Sequence, residues 1–175
     1  MATHGQQLRD TVVECLKSAL LGDALAAEYT LLNLISRVYA RLPDQPDGFP
    51  MGNYPLNLTN IHSAEYGKFL AKTLSNYVGK LHYFPLSLSN LENSVLCPTK
   101  NYDAERLVAS QLQLGQGPHL LFDETCIVEG NLSPFAVKQL STIGTLLQGQ
   151  HIPYDFQYYC LNQPTNYPAI VLSAG

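Results

Sequence analysis

An apolar run, His119-Leu120-Leu121-Phe122, closes abruptly on the carboxylate pair Asp123-Glu124. Successive large apolar residues without alternation read as a strand buried on both faces, since a sheet open to water on one side would alternate polar and apolar positions. A sheet covered on both faces needs a layer on each side of it, and that demand selects an α/β architecture. The same strand delivers two carboxylates to its C-terminal edge. Those carboxylates read either as a Mg²⁺ ligand beside a water-orienting base, the arrangement of phosphoryl-transfer sites, or as two charges that cap the following turn in solvent.

The remainder of the chain supplies the layers. Leu8, Val12, Val13, Leu16, Ala19 and Leu20 recur at helical spacing up to Gly22, and residues 1–9 read as disordered or foreign to the domain. Asp23 is placed to cap a second helix running to about Arg41. Pro43, Pro46 and Pro50, with Gly48 and Gly52, mark residues 43–51 as a loop. A strand is expected over residues 55–59, a helix over 65–78 and a strand over 81–88, followed by an irregular stretch over 89–105. Residues 106–114 read as a hairpin arm that leads through Gly115-Gln116-Gly117 into the acidic strand. Ser133 and Pro134 open a helix to about Leu147, and strands over 152–161 and 169–172 complete the order. The expectation is one α/β domain over residues 1–175: a core sheet flanked by helices, with β-hairpin insertions. Because the chain stops just after an apolar strand, it also reads as a piece of a longer protein.

Composition narrows the function classes. Ten Lys+Arg stand against fourteen Asp+Glu, a net charge of −4, and no basic stripe interrupts that balance. Duplex DNA and anionic membranes are held by clustered cations, so neither is an expected partner. No apolar run reaches the length of a membrane-spanning helix. Apolar residues make up 46% and charged residues only 14%, so part of the apolar surface is expected to meet a protein partner. Cys15, Cys97, Cys126 and Cys160 are widely spaced and read as free thiols rather than as disulfides or zinc ligands. The sequons at Asn57 and Asn131 are read as accidental in an intracellular chain.

A carboxylate pair that serves a nucleotide requires an upstream phosphate cradle following a strand. Residues 22–29 echo one but follow a helix, with Glu28 where a lysine is needed, so that register is rejected. Residues 62–69, His62-Ser63-Ala64-Glu65-Tyr66-Gly67-Lys68-Phe69, follow the expected strand and match G-x-x-x-x-G-K-[ST] at Gly67 and Lys68 only. His62 removes the conformational freedom of the first glycine, and Phe69 removes the metal-binding hydroxyl. Glu65 adds negative charge inside the would-be anion nest. Lys68 on a solvated helix surface is the alternative reading. The five His are scattered, without metal-ligand spacing. Tyr154-Asp155-Phe156-Gln157-Tyr158-Tyr159 concentrates aromatics that either pack across strands or form a protein interface.

Residues 107–124, LVASQLQLGQGPHLLFDE, resemble the stretch of minichromosome maintenance (MCM) helicase subunits in which a hairpin arm leads into the Walker B strand. LLGDALAAEYTLLNLISRVYARL, KNYDAERL, LLFDET, YDFQYY and the closing AIVLSAG together resemble the MCM complex-binding protein family over roughly residues 10–175. That resemblance implies a degenerate AAA+-like core without a lid subdomain, a nuclear setting and no cofactor. It also implies association with MCM subunits during assembly or unloading of the helicase, in DNA replication and sister-chromatid cohesion. Carried over residue by residue, Asp123 and Glu124 match Walker B, Gly67 and Lys68 match the phosphate loop in part, and no arginine finger is identifiable. Tyr154, Phe156, Tyr158 and Tyr159 are the residues expected to meet the partner, with the loop over residues 43–54 as a second candidate surface.

Overall fold

A computed structural model describes residues 2–43 and 47–175 of the chain. At its centre lies a four-stranded sheet of β3 (Leu56–Leu58), β10 (Ala169–Leu172), β7 (His119–Asp123) and β4 (Leu81–Pro85), in that order. Every pair is parallel: Ile170 is in register with both Leu56 and Leu121, and Tyr83 with Leu121. Parallel strands require crossovers, and α3 (Ala64–Leu74) supplies the one between β3 and β4. The sheet is covered on both faces, as the unbroken apolar run of β7 requires.

Side chains along β7 alternate between two cores. Leu121 joins Leu58, Ile170 and Leu172 beneath α1 (Ala2–Ala19), α2 (Ala24–Ile35) and α3, which contribute Leu16, Ala27, Leu70 and Leu74. Leu120 and Phe122 join Ala169 on the opposite face, against Leu91 of α4 (Leu88–Asn93) and Ile143 and Leu146 of α5 (Pro134–Gly149). Leu120, Leu121 and Phe122 are all essentially inaccessible. Truncating the largest of them, Phe122, removes a side chain whose like costs about 3–5 kcal/mol in other cores.

The second core is closed by another sheet, ordered β6 (Arg106–Val108), β5 (Thr99–Asn101), β8 (His151–Asp155) and β9 (Cys160–Pro164). It is mixed: β6 and β9 pair antiparallel with their neighbours, while β5 meets β8 in parallel at Thr99 and Asp155. A separate hairpin joins β1 (Ala40–Leu42) to β2 (Phe49–Met51). Among the described residues no helix is long and apolar enough to cross a membrane, and the four cysteines are free thiols.

Several expectations are corrected. The second helix ends at Ile35 rather than near Arg41 because the chain beyond it finds distant partners. The Val38 N–H donates to Asn166 Oδ1 at 2.8 Å, the Tyr39 N–H donates to the Met51 carbonyl at 3.1 Å, and Ala40 enters a strand. The span 43–51, read as a loop, therefore ends in a strand, since Phe49–Met51 form β2 of the hairpin, and residues 44–46 lie outside the described ones. The strand expected over 81–88 stops at Pro85, and the irregular span 89–105 holds most of α4 and all of β5. The arm expected over 106–114 is a strand only at Arg106–Val108. The single strand expected over 152–161 is a hairpin, β8 turning into β9 through residues 156–159. Finally, α1 begins at Ala2, so residues 2–9, within the segment read as disordered or foreign to the domain, are helical, with Arg9 paired to Glu28 of α2.

Local signals that did hold have visible causes. Asp23 accepts the Ala26 N–H at 2.9 Å, and Ser133 accepts the Ala136 N–H at 3.1 Å with Pro134 opening α5. At the other end of α5 the Arg41 guanidinium donates to the carbonyls of Gly149 at 3.0 Å and Thr165 at 3.0 Å. A cation is favourable there because the last carbonyls of a helix carry partial negative charge. Gln150, left-handed at φ 51°, is fully buried and closes the joint through bonds with Leu146 and Tyr167.

A sealed carboxylate at the sheet edge

The two halves of the expected nucleotide site do come near each other, but not as a cradle around an anion. Residues 59–63 link β3 to α3 and fold inward, with Ile61 buried and its N–H donating to the Ser173 carbonyl at 3.0 Å. Ser63 caps α3 by accepting the Tyr66 N–H at 3.1 Å. Gly67 therefore lies inside the helix, not in a loop, and its N–H donates to the Ser63 carbonyl at 3.1 Å. The phosphate-binding part of the pattern has become ordinary helix.

What Gly67 does instead is permit close packing. A Cβ at this position would lie 2.4 Å from Asp123 Oδ2, so α3 can cross the end of β7 only on a residue without a side chain. Lys68, the next residue, is exposed and makes no hydrogen bond or ion pair among the described residues. Phe69 is half exposed and stacks on Tyr66 with ring centroids 5.9 Å apart. Nothing on this turn of helix points a cation at Asp123.

Asp123 is entirely buried, and other groups satisfy it. Oδ2 accepts the Tyr83 hydroxyl at 2.5 Å, and Oδ1 accepts both the Thr125 N–H at 3.0 Å and the Thr125 hydroxyl at 2.6 Å. Burial, and then the bond and charge of Asp123, hold the Tyr83 phenol far above its ordinary range, so it remains a donor. Burial and the same carboxylate push the neighbouring Cys126 thiol up. Glu124 faces solvent at the start of a short 3-10 turn. Asp123 and Glu124 thus diverge, one into the protein and one into water. A magnesium ligand keeps open coordination positions and bound water; Asp123 presents no solvent-facing atom surface. Among the described residues no group of three or more His, Cys, Asp or Glu is placed to hold a metal.

Sequence reasoning missed Tyr83 and Thr125. The signals were present: Thr125 stands two residues after Asp123, the spacing of a local side-chain turn. Tyr83 lies in a strand adjacent to β7, but that adjacency is known only once the sheet order is known.

The expected partner-facing aromatics separate. Tyr154 is half buried against the second core, and its hydroxyl accepts from Gln113 Nε2 at 2.9 Å. At the β8–β9 turn Phe156 and Tyr159 stack with centroids 5.0 Å apart, while Tyr158 is 85% exposed. Tyr102 joins them, packing edge-on to Tyr158 at 5.8 Å and donating to the Phe156 carbonyl at 2.9 Å. Phe156, Tyr158, Tyr159 and Tyr102 form an aromatic knob on the outer end of the second sheet.

Residues 1–175 match the family described as Mini-chromosome maintenance replisome factor. The chain is 37% identical over 162 residues to the mini-chromosome maintenance complex-binding protein of Drosophila melanogaster, covering 91% of this chain and 26% of that protein. It is 36% identical over 168 residues to the protein of that name from Salmo salar, covering 96% and 26%. For the Homo sapiens protein of that name the values are 32% over 169 residues, 96% and 26%. The chain therefore spans about a quarter of the length of these relatives.

Proposed function

The chain belongs to the mini-chromosome maintenance replisome factor family, and from that premise we propose that it is a non-catalytic binding module for MCM helicase subunits. The observation that carries the non-catalytic half is the closure of Asp123 by Tyr83, Thr125 and the Gly67 backbone, with Lys68 left in solvent. The binding half rests on the relatives, whose names describe proteins that bind the MCM complex. The sheet order supports an AAA+-like reading: the strand before the partial phosphate-loop match and the acidic strand lie on either side of β10 in one parallel sheet.

A domain of this shape can face a helicase subunit by imitating its neighbour, without nucleotide at the joint. Tyr158, Tyr159 and Tyr102, with the half-buried Phe156 stacked beneath Tyr159, are the contact residues in this proposal, because aromatics such as tyrosine dominate the energetics of such interfaces. The setting is nuclear, and the role is to assemble or unload the helicase during replication, with sister-chromatid cohesion depending on it.

Capture of purified MCM subunits by this domain, set against a Tyr158→Ala/Tyr159→Ala variant, tests the binding half. Retention by the native domain and loss by the variant is the expected outcome; equal retention moves the interface elsewhere, and no capture overturns the reading. Melting with and without Mg²⁺-ATP or Mg²⁺-ADP tests the other half. No shift is expected. A nucleotide at about 100 times its Kd would add about 2.7 kcal/mol, and a rise abolished by Lys68→Ala would establish a working nucleotide site instead.

A further inference from the structure

A cleft of about 1100 Å³ cuts the N-terminal edge of the central sheet, at the opposite end of β7 from Asp123. The strap leaving α2 forms one wall, with Arg37 and Tyr39. The Gly115-Gln116-Gly117 turn ahead of β7 forms another, and His119 and Asn166 lie between them. The volume exceeds the usual range for a single small ligand, and the trough is open along the strap.

Its charge runs against that of the chain. Among the described lining residues the only charged side chains are Arg37 and Arg41, with no carboxylate, although the whole protein carries −4. Lys80 adds a third cation at the rim, its Nζ donating to the Gln116 carbonyl at 3.3 Å. Arg37 is exposed and engages no partner among the described residues. Arg41 is half buried, with both terminal nitrogens spent on backbone carbonyls, and burial lowers the stability of its charge. Among the described residues Asp47 acts on it, and that carboxylate accepts a bond from Asn162 at 2.7 Å. His119 Nε2 is held at 2.9 Å by the Leu34 carbonyl, while its buried Nδ1 has no described partner. Beside these groups stand large exposed apolar surfaces, Ile35 at 67% and Tyr39 at 71%.

We propose that this cleft is a binding site for an acidic peptide segment, extended and carrying carboxylates beside apolar residues. Arg37 and Lys80 meet the carboxylates, the field of Arg41 favours them from behind, and Ile35 and Tyr39 take the apolar side chains. Electrostatic complementarity of this kind sets partner choice. Single-stranded nucleic acid is the less favoured occupant, because three cations do not form the continuous basic track along which a phosphate backbone is held. The site shares no residue with the Asp123 edge or the aromatic knob and does not depend on the MCM reading.

Fluorescence anisotropy tests it with a labelled short peptide of Glu, Leu and Ser, a second in which Gln replaces Glu, and an oligothymidylate. The acidic peptide is expected to bind, and Arg37→Glu to weaken it about tenfold or more. Tyr39→Ala should weaken it without changing the net charge. Lys68→Glu makes the same charge change at the far edge of the sheet and should leave affinity unchanged. Both Arg37 and Tyr39 are exposed and outside helix and strand, so each variant is expected to keep the native melting curve. The proposal fails if the acidic peptide does not bind or the Gln peptide binds equally well. It also fails if Lys68→Glu matches Arg37→Glu, or if oligothymidylate binds more tightly than the peptide.

Discussion

At one end of β7 the protein encloses a charge, and at the other it leaves charges open. Asp123, at the C-terminal end, has three donated hydrogen bonds and no solvent contact. His119, at the N-terminal end, lines a broad cleft bordered by arginines. Read along the sequence, the carboxylate looks like the reactive group and the Gly-Gln-Gly turn like a connector. In three dimensions the carboxylate ties β7 to β4 and to the turn that follows it, with Gly67 of α3 packed over it, while the connector forms the wall of an open site. A motif reports which residue types are present; solvent access decides whether they can act on a ligand.

Substitutions at the two ends should separate these roles. The largest effect is expected at Gly67→Ala. In an unconstrained helix this change is stabilising by roughly 0.8–1.0 kcal/mol, but a Cβ 2.4 Å from Asp123 Oδ2 forces α3 away from the sheet. The expected outcome is a net loss of about 2 kcal/mol in chemical denaturation, of the size seen for overpacked cores; a gain in stability would show that the Asp123 seal is loose.

Tyr83→Phe comes next. It removes the hydroxyl from Asp123 Oδ2 while keeping the ring, and a loss at the lower end of the range of about 1–3 kcal/mol is expected, because Thr125 still donates to the carboxylate. Urea unfolding measures it, and an unchanged midpoint would mean that Thr125 alone satisfies the carboxylate.

Acidification should act first beside Arg41, which lines the cleft. Burial, and then the Arg41 charge, lower the pKa of His151 from its ordinary 6.5, so the folded protein favours the neutral ring and the unfolded chain takes the proton more readily. The stability due to neutral His151 is complete above pH 6.5 and is lost as pH falls through the lower folded value. Asp155, whose pKa its bonds to Lys138 and the Gln157 N–H lower, contributes stability that is complete above its ordinary 3.8 and is lost only as pH falls below that value. A melting series from pH 7 downward should therefore decline before the Asp155 window opens, and His151→Gln should flatten that first decline.

The smallest effect is expected at Lys68→Ala, within about 0.5 kcal/mol of the native protein, because the side chain is exposed and unpaired among the described residues. A larger loss in thermal melting would reconnect Lys68 to the carboxylate edge and blur the contrast between the two ends.

The sequence by itself determined the features written within one turn or one strand. These are the doubly buried β7, the caps Asp23 and Ser133, the proline opening α5 and the apolar face of α3. Each depends on periodicity or on a hydrogen bond spanning three residues, so a short window carries the whole signal. Tertiary structure alone decided where α2 stops, since the chain after Ile35 is drawn off by Met51 and by Asn166, far along the sequence. It also decided that residues 152–161 turn back as a hairpin and that Tyr83 lies within reach of Asp123. The fate of the acidic strand end was settled there too, for the cost of burying a carboxylate depends on the donors the fold gathers around it, and while Thr125 is local, Tyr83 lies on a strand that the sequence around Asp123 does not name.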